Sequence, residues 1–384
     1  MILLKKDKLD VLIFIDWFLP AFKAGGPIQS VSNLVEYFKD EFDFWIFTSN
    51  TDIDGTLNTE KVNCWIVKDG YKIMYSNFEN KKTNLIKTVL NTHSFDVIYL
   101  NSMYSYNFTL IPLWLLKSSY KRIVLAPRGM LGKGALEIKF YKKKLFIQLF
   151  RLFGFHNKII WHATDDTEKN EINRHFGSKV RVLVSPNLIG KSNFEFYSKR
   201  KISGEIKMFF LSRISVKKNL LFALDIISRL NINAKIDFSI IGPVEEKNYW
   251  NDCLKRINLL PKNINVNILG PIPNYRLQSI LKEQHLLILP TKHENFGHVI
   301  LESWQAGCPV IISKNTPWQN LKSKNIGFDI SLNDSNKFIS SMKSFIEMDS
   351  LEFNKWSLNS FNFAKTFSEN KLLFNKSKKI FENE

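Results

Sequence analysis

Four charged side chains in this sequence stand at spacings suited to holding a diphosphate and a set of vicinal hydroxyls. In TKHENFGHVILESWQAGCPVII, residues 291–312, Glu294 and Glu302 lie on either side of Phe296-Gly297. In FLSRISVKKNL, residues 210–220, Arg213 and Lys218 follow an apolar run with four residues between them. An ionised carboxylate only accepts hydrogen bonds, so it matches hydroxyls that donate. Two permanent cations match the charge that grows on a departing diphosphate. If both glutamates were helical, a rise of ~1.5 Å per residue would set them about 12 Å apart, roughly a ribose, a diphosphate and part of a hexose. Each feature also has a plainer reading. Glu302 can be a helix-surface residue, Glu294 an acid favoured by a helix dipole, and Lys217 and Lys218 first-turn residues facing water.

The elements around these residues must place them. LLILP (286–290) reads as a buried strand, and the following helix starts at Asn295 to His298 and ends at Gly307, a suitable residue just past a helix. A helix N-terminus after a strand offers amides to an anion, here those of Asn295, Phe296 and Gly297, with Gly297 allowing close approach. Arg213 and Lys218 follow the strand KMFFLS (207–212) and precede a helix over 217–230. Similar short apolar runs recur at 11–15, 44–48, 96–100, 122–126, 159–163, 180–184, 235–242, 266–269, 309–313 and 326–330, separated mostly by helical patterns. That alternation predicts parallel βαβ units in two doubly wound halves facing a cleft, with ligands beyond the carboxyl ends of strands. The polar, aperiodic stretch SNFEFYSKRKISGE (192–205) reads as the linker.

Composition narrows the class. At 384 residues, with 45% hydrophobic and 23% charged content, the chain suits two globular domains rather than disorder. Three widely spaced cysteines show no metal-ligand spacing and read as reduced thiols of a cytoplasmic protein. The opening MILLKKDKLDVLIFIDWFLP imitates a signal peptide, but Asp16 interrupts it and Val11 to Ile15 reads better as a strand. The net charge of +18 calls for an anionic partner, and half of it lies between Lys121 and Ile160, ten basic residues against one acid, Glu137. Within that segment, residues 134–155 combine Leu136, Phe140, Leu145, Phe146, Leu149, Phe150 and Phe153 with the lysines. This is either a basic amphipathic helix that lies on a membrane surface or a core helix with a solvated basic face. No helix-turn-helix, zinc-finger or RNP-like pattern supports nucleic-acid binding. Asp52-x-Asp54, beside Gly55, reads as a turn rather than a metal site.

Together, Arg213-x4-Lys218, Glu294-x-Phe296-Gly297, Glu302 and Gly307-Cys308-Pro309-Val310 resemble the GT-B retaining glycosyltransferases of family 4 along nearly the whole chain. A-G-G-P-I (24–28) resembles the family's Gly-rich loop after the first strand, and P-N (186–187) its run into the linker. A-P-R-G-M-L (126–131), W-H-A-T-x-x-T-E (161–168) and T-P-W-x-N-L (316–321) resemble the bacterial branch that builds O-antigens, capsules and exopolysaccharides. The resemblance implies an α/β GT-B fold: an acceptor domain over 1–190, a linker over 191–205, a nucleotide-sugar domain over 206–366, and a C-terminal helix over 367–384 packed back on the first domain. It implies that Glu294 contacts the donor sugar and Glu302 the ribose, while Asn295, Phe296, Gly297 and His298 line the sugar and phosphate. Arg213 and Lys218 would hold the diphosphate, and the base would meet backbone near Gly270 to Ile272. In the first domain Gly25, Gly26 and Arg128 are the cleft candidates, Arg128 standing where many relatives carry a histidine. Asn219 replaces the usual glycine after the lysine. The chemistry implied is metal-independent transfer from a GDP- or UDP-sugar to a polyprenyl-diphosphate-linked glycan, by a protein peripheral to the inner face of the cell membrane, with no cofactor and no nucleic acid. Two other classes stay open on sequence: a basic nucleic-acid binder, and a GT-B protein that binds nucleotide sugar without turning it over.

Overall fold

The computed structural model describes residues 8–78, 82–118, 121–137, 140–190, 195–230 and 233–382. The chain divides into two compact units, Met1–Lys191 with Asn370–Glu384, and Ser192–Glu369. In the first unit the strands are β1 (Leu9–Phe14), β2 (Phe42–Ser49), β3 (Ile66–Lys68), β4 (Tyr71–Ser76), β5 (Val97–Asn101), β6 (Arg122–Ala126), β7 (Ile160–Ala163) and β8 (Val182–Val184). They form one sheet in the order β3-β4-β2-β1-β5-β6-β7-β8, parallel except for the edge strand β3. Such strands are covered on both faces, which is why they read as continuous apolar runs. Alternate side chains serve opposite cores: Leu12, Phe14, Phe47, Ile98 and Leu100 on one face, Val11, Ile13, Ile46, Val97 and Tyr99 on the other.

Strands β3 and β4 are absent from the run pattern read on sequence. They form a hairpin with Lys68 opposite Tyr71, so Asp69-Gly70 is its two-residue turn. Asp-Gly between strands is a strong hairpin signal, and Gly70 takes φ +78° there.

The second unit contains β9 (Glu205–Leu211), β10 (Lys235–Ile241), β11 (Ile264–Gly270), β12 (Leu286–Leu289), β13 (Val310–Ser313) and β14 (Gly327–Ile330). The order is β11-β10-β9-β12-β13-β14, all parallel. This is the doubly wound order in which the direction of winding reverses between the first and fourth strands, here β9 and β12. The loops that leave those two strands carry Arg213, Lys218 and Glu294.

The unit boundaries differ in detail from those read on sequence. Strand β9 begins inside the stretch assigned to the linker, and residues 191–194 lie outside the described residues. The helix Ser350–Ser368 runs through the expected break at 366, so the chain returns to the first unit at Asn370. There the helix Lys371–Lys378 and the turn after it fill the first core. Ile380 and Phe381 are fully buried, Phe381 packs edge-on to Phe42 and Phe44, and Arg122 donates to the carbonyls of Lys379 and Ile380.

The basic stretch 134–155 divides. It contains helices Lys133–Glu137 and Phe140–Leu152, while Ile138 and Lys139 lie outside the described residues. Ile147 and Phe150 face the core, whereas Phe140, Leu145, Leu149, Leu152 and Phe153 are exposed. Gly154, at φ +70°, then turns the chain into Phe155–Lys158. Among the described residues no helix is long and apolar enough to cross a membrane.

Candidate active site

The site is built where the loops after β9 and β12 meet. Backbone and side-chain bonds lace them together: the Lys292 amide donates to the Lys217 carbonyl (2.8 Å), and Asn219 Nδ2 donates to the Pro290 carbonyl (3.0 Å). Asn219 takes the left-handed conformation at φ +65° and caps the helix Leu220–Ser228. Asparagine tolerates that region better than other side chains, which explains how it stands in a glycine's place. It also moves the helix start to Leu220, so Lys217 and Lys218 belong to the loop and not to a first helical turn. Beside this loop, the backbone of Gly242 passes so close to Ser212 that a Cβ would lie 2.0 Å from the Ser212 carbonyl oxygen. Only glycine fits that approach.

Within this frame Lys218 and Glu294 form an ion pair, both side chains mostly shielded from water. The Glu294 amide donates to the Asn315 carbonyl (2.9 Å), fixing the residue from the far side of the loop after β13. Burial pushes the Glu294 carboxyl up, but the charge and hydrogen bond of Lys218, with further charge from Lys217 and His293, outweigh it and hold the group below the usual carboxylate range. Glu294 is therefore an acceptor at neutral pH, not a proton donor. Arg213, about one-third exposed, pairs with Glu245 at 2.6 Å. Lys217 is pulled down, by burial first and by the charge of Lys218 next. Three basic side chains thus converge on one carboxylate and one partly exposed glutamate, an arrangement that leaves net positive charge at the end of the sheet.

Glu302 contrasts with Glu294. It lies inside the helix His298–Gln305, whereas Glu294 precedes that helix, so the separation worked out for two helical residues does not apply. The Glu302 carboxyl has no side-chain partner among the described residues, and burial pushes it up to about 7. Gly297 caps this helix at φ +79°, and a Cβ there would crowd Ile300 and Glu294. Gly307 follows it at φ +66°, as expected of the residue just past a helix end. The T-P-W stretch finds its purpose here. Trp318 donates its indole N–H to the Phe296 carbonyl and packs edge-on against Phe296 and Trp304, so it sets the turn that leads into the helix. His298 is buried against the Phe296 ring, and Ile272 lies half-buried in the loop after β11.

In the first unit Gly25, at φ +73°, and Gly26 open the helix Gly26–Phe38 after β1. Asp52 is occupied by the amides of Phe22 and Lys23, and its carbonyl closes a turn with the Gly55 amide. Asp54 pairs with Lys23, whose hydrogen bond, with that of Thr56, takes its carboxyl down to about 2. Arg128, at φ +57°, donates to Asn101 (2.6 Å), Tyr99 (2.9 Å) and Asn187. Glu168 accepts from the Gly129 amide (2.6 Å) and from Thr164, which ties the A-P-R-G-M-L and W-H-A-T-x-x-T-E segments together. His162 is buried between Tyr99 and the Ser185 carbonyl, and burial takes its imidazole down to about 3, consistent with a packing role. Sequence reasoning missed Glu245, Gly242 and the part played by Trp318. The Gly242-Pro243 pair just after β10, with Glu245 and Glu246 close behind it, was the available signal for the first two.

Comparison with known proteins bears on the family and the fold. Residues 192–357 match the family model described as "Glycosyl transferases group 1". An uncharacterized 41.2 kDa protein in the cps region of Klebsiella pneumoniae is 25% identical over 270 residues, which cover 68% of this chain and 72% of that protein. Anabaena Alr3699/HepE, solved in complex with UDP and glucose, superposes with a TM-score of 0.69 at 14% identity, covering 97% of this chain and 98% of the other. WaaG, a glycosyltransferase involved in lipopolysaccharide biosynthesis, gives a TM-score of 0.69 at 11% identity over 98% of this chain and 100% of its own. The chain has the GT-B fold, and the segment that matches the glycosyl transferases group 1 model carries Arg213, Lys218, Glu294 and Glu302.

Proposed function

We propose that the protein transfers a sugar from a nucleotide-diphosphate sugar to a lipid-linked glycan in the assembly of a surface polysaccharide, with retention of anomeric configuration. The observation that carries this reading is the meeting of Lys218, Arg213 and Glu294 where the winding of the second sheet reverses. Neighbours solved with UDP or UDP-glucose support a nucleotide sugar as donor, and the relative in a cps region supports capsule assembly as the setting.

The residues divide the work. In the free protein Lys218 is held by Glu294 and Arg213 by Glu245, so the donor's diphosphate takes over both cations as it binds. Glu294, ionised, then accepts from hydroxyls of the sugar, and Glu302 accepts from the ribose diol. As the bond from the anomeric carbon to the phosphate oxygen breaks, the electron pair goes to the diphosphate, whose growing charge Lys218 and Arg213 stabilise. The acceptor hydroxyl bonds to the anomeric carbon on the same face, and its proton passes to the departing phosphate. These cations supply the charge stabilisation, so the reading requires no metal. The first unit takes the acceptor, with Gly25, Gly26 and Arg128 as its candidate contacts, and the protein works at the cytoplasmic face of the membrane.

Nucleotide release is the direct test. With the matching donor, Glu294→Ala and the double variant Arg213→Ala/Lys218→Ala should lose turnover by about 10²-fold or more. Unchanged turnover in these variants would sink the assignment.

A further inference from the structure

The first unit contains a second concave site, apart from every residue named above for the donor. A cavity of about 470 Å³ is lined by Tyr106, Trp114, Phe146, Leu149, Phe153 and Phe155, among others, and among the described residues no charged side chain lines it. That volume lies in the range of ligand pockets, about 300–1,000 Å³. Its walls come from the turn Tyr106–Leu110 and helix Ile111–Leu115, which follow β5, and from the far end of the helix Phe140–Leu152. The wall is half-finished as a core: Phe150 and Phe155 are buried, whereas Tyr106, Trp114 and Leu149 remain exposed at 65%, 55% and 42%. Large apolar side chains left open around a concave surface mark a binding site rather than a packing fault.

Charge at the rim says what the occupant carries. Lys117 places its ammonium 5.3 Å from the Trp114 ring centroid and 5.9 Å from that of Phe153, which holds a cation over two rings of the lining. The basic segment Lys121–Ile160 supplies one wall and half of the chain's net charge. An apolar hollow with a cationic rim fits an anionic amphiphile. We propose that this pocket takes the hydrocarbon end of a phosphate-headed lipid, the carrier of the acceptor glycan, with Lys117 meeting the phosphate. The proposal rests on the transferase reading for the identity of the lipid. Rings with one apolar and one wet edge, such as Tyr106 and Trp114, suit the boundary between chain and head group.

Equilibrium binding of farnesyl phosphate to the full chain tests it, with farnesol, inorganic phosphate and anionic phospholipid vesicles lacking any isoprenoid as comparison probes. Leu149→Trp fills the pocket and should weaken farnesyl phosphate at least tenfold, while Leu152→Trp, outside the lining, should not. Lys117→Glu, an exposed change that leaves the core alone, should weaken farnesyl phosphate severalfold and leave farnesol unchanged. Equal binding by wild type, Leu149→Trp and Lys117→Glu would overturn the pocket. So would a wild type that prefers the phospholipid vesicles to farnesyl phosphate, since the basic face would then be a plain membrane contact. Nucleotide release, measured in parallel, separates the two ideas. Turnover without lipid binding removes the pocket and spares the transferase, and lipid binding without turnover does the reverse.

Discussion

Breaking the Lys218–Glu294 pair from either side should cost stability, and breaking it from both sides should cost little. The two side chains are only 11% and 15% exposed, so each depends on the other to offset its loss of water. Removing one member of such a pair typically costs about 3–5 kcal/mol, because the survivor is left charged and poorly solvated. Lys218→Met leaves Glu294 with Lys217 as a remaining source of positive charge, so its cost should sit near the lower end, about 3 kcal/mol. Glu294→Gln leaves Lys217 and Lys218 together without their carboxylate, which places it near the upper end. The double variant Lys218→Met/Glu294→Gln removes both charges and should return to within about 1 kcal/mol of wild type. Chemical denaturation at pH 7.5 reads these values as a double-mutant cycle. Nucleotide release should behave differently, falling about 10²-fold or more in all three variants, because the diphosphate has lost its cation or the sugar its acceptor. The folded pKa of Glu294 is depressed, so the pair's contribution is complete above the ordinary value of 4.5 and disappears as the pH falls below it. Additive losses in the double variant, or a double variant that still turns over, would refute the reasoning.

Glu302 should show the opposite pH behaviour. Its carboxyl is raised to about 7, so wild type loses stability as the pH climbs from about 4.5 to 7, and Glu302→Gln should be about 1–3 kcal/mol more stable at pH 8 yet equal at pH 4. The same titration predicts that the donor KM of wild type falls as the pH rises through 7, a slope that Glu302→Gln lacks. Because the Arg213–Glu245 pair is about one-third exposed, Arg213→Ala should change stability by less than about 1 kcal/mol while lowering turnover about 10²-fold, and Glu245→Gln should leave turnover within a few-fold of wild type. Ending the chain at Glu369 removes the buried Ile380 and Phe381, worth about 1.5–3 kcal/mol each, and should be seen in the denaturation midpoint and as dye-accessible apolar surface.

Much of the architecture was legible because parallel strands covered on both faces must be apolar throughout. Runs such as VLIFI (11–15) and LLIL (286–289) can hardly be anything else. Strand β4 escaped because Tyr71 and Lys72 at its start are only partly buried, although Asp69-Gly70 before it was the clue. Arg213, Lys218 and Glu294 could be picked out as a candidate site because they follow buried strands, and Glu302 by its spacing from Glu294. Their pairing was not legible. That Lys218 holds Glu294, that Arg213 holds Glu245, and that the two glutamates differ so far in acidity follow from which loops the sheet brings together. Arg128 illustrates the same gap: as a letter it suggests a ligand contact, and in the fold its guanidinium is engaged by Tyr99, Asn101 and Asn187.

The return of residues 370–381 to the first core bears on how the protein is made. A ribosome delivers residues 8–190 first, yet their sheet has a hole shaped for Ile380 and Phe381, which are synthesised only after the whole second unit. Residues 192–369 are contiguous and can complete their own core as soon as they emerge. The unit made first is thus the one finished last, and in the interval its apolar seam beside Phe42 and Phe44 is open to solvent and to other nascent chains.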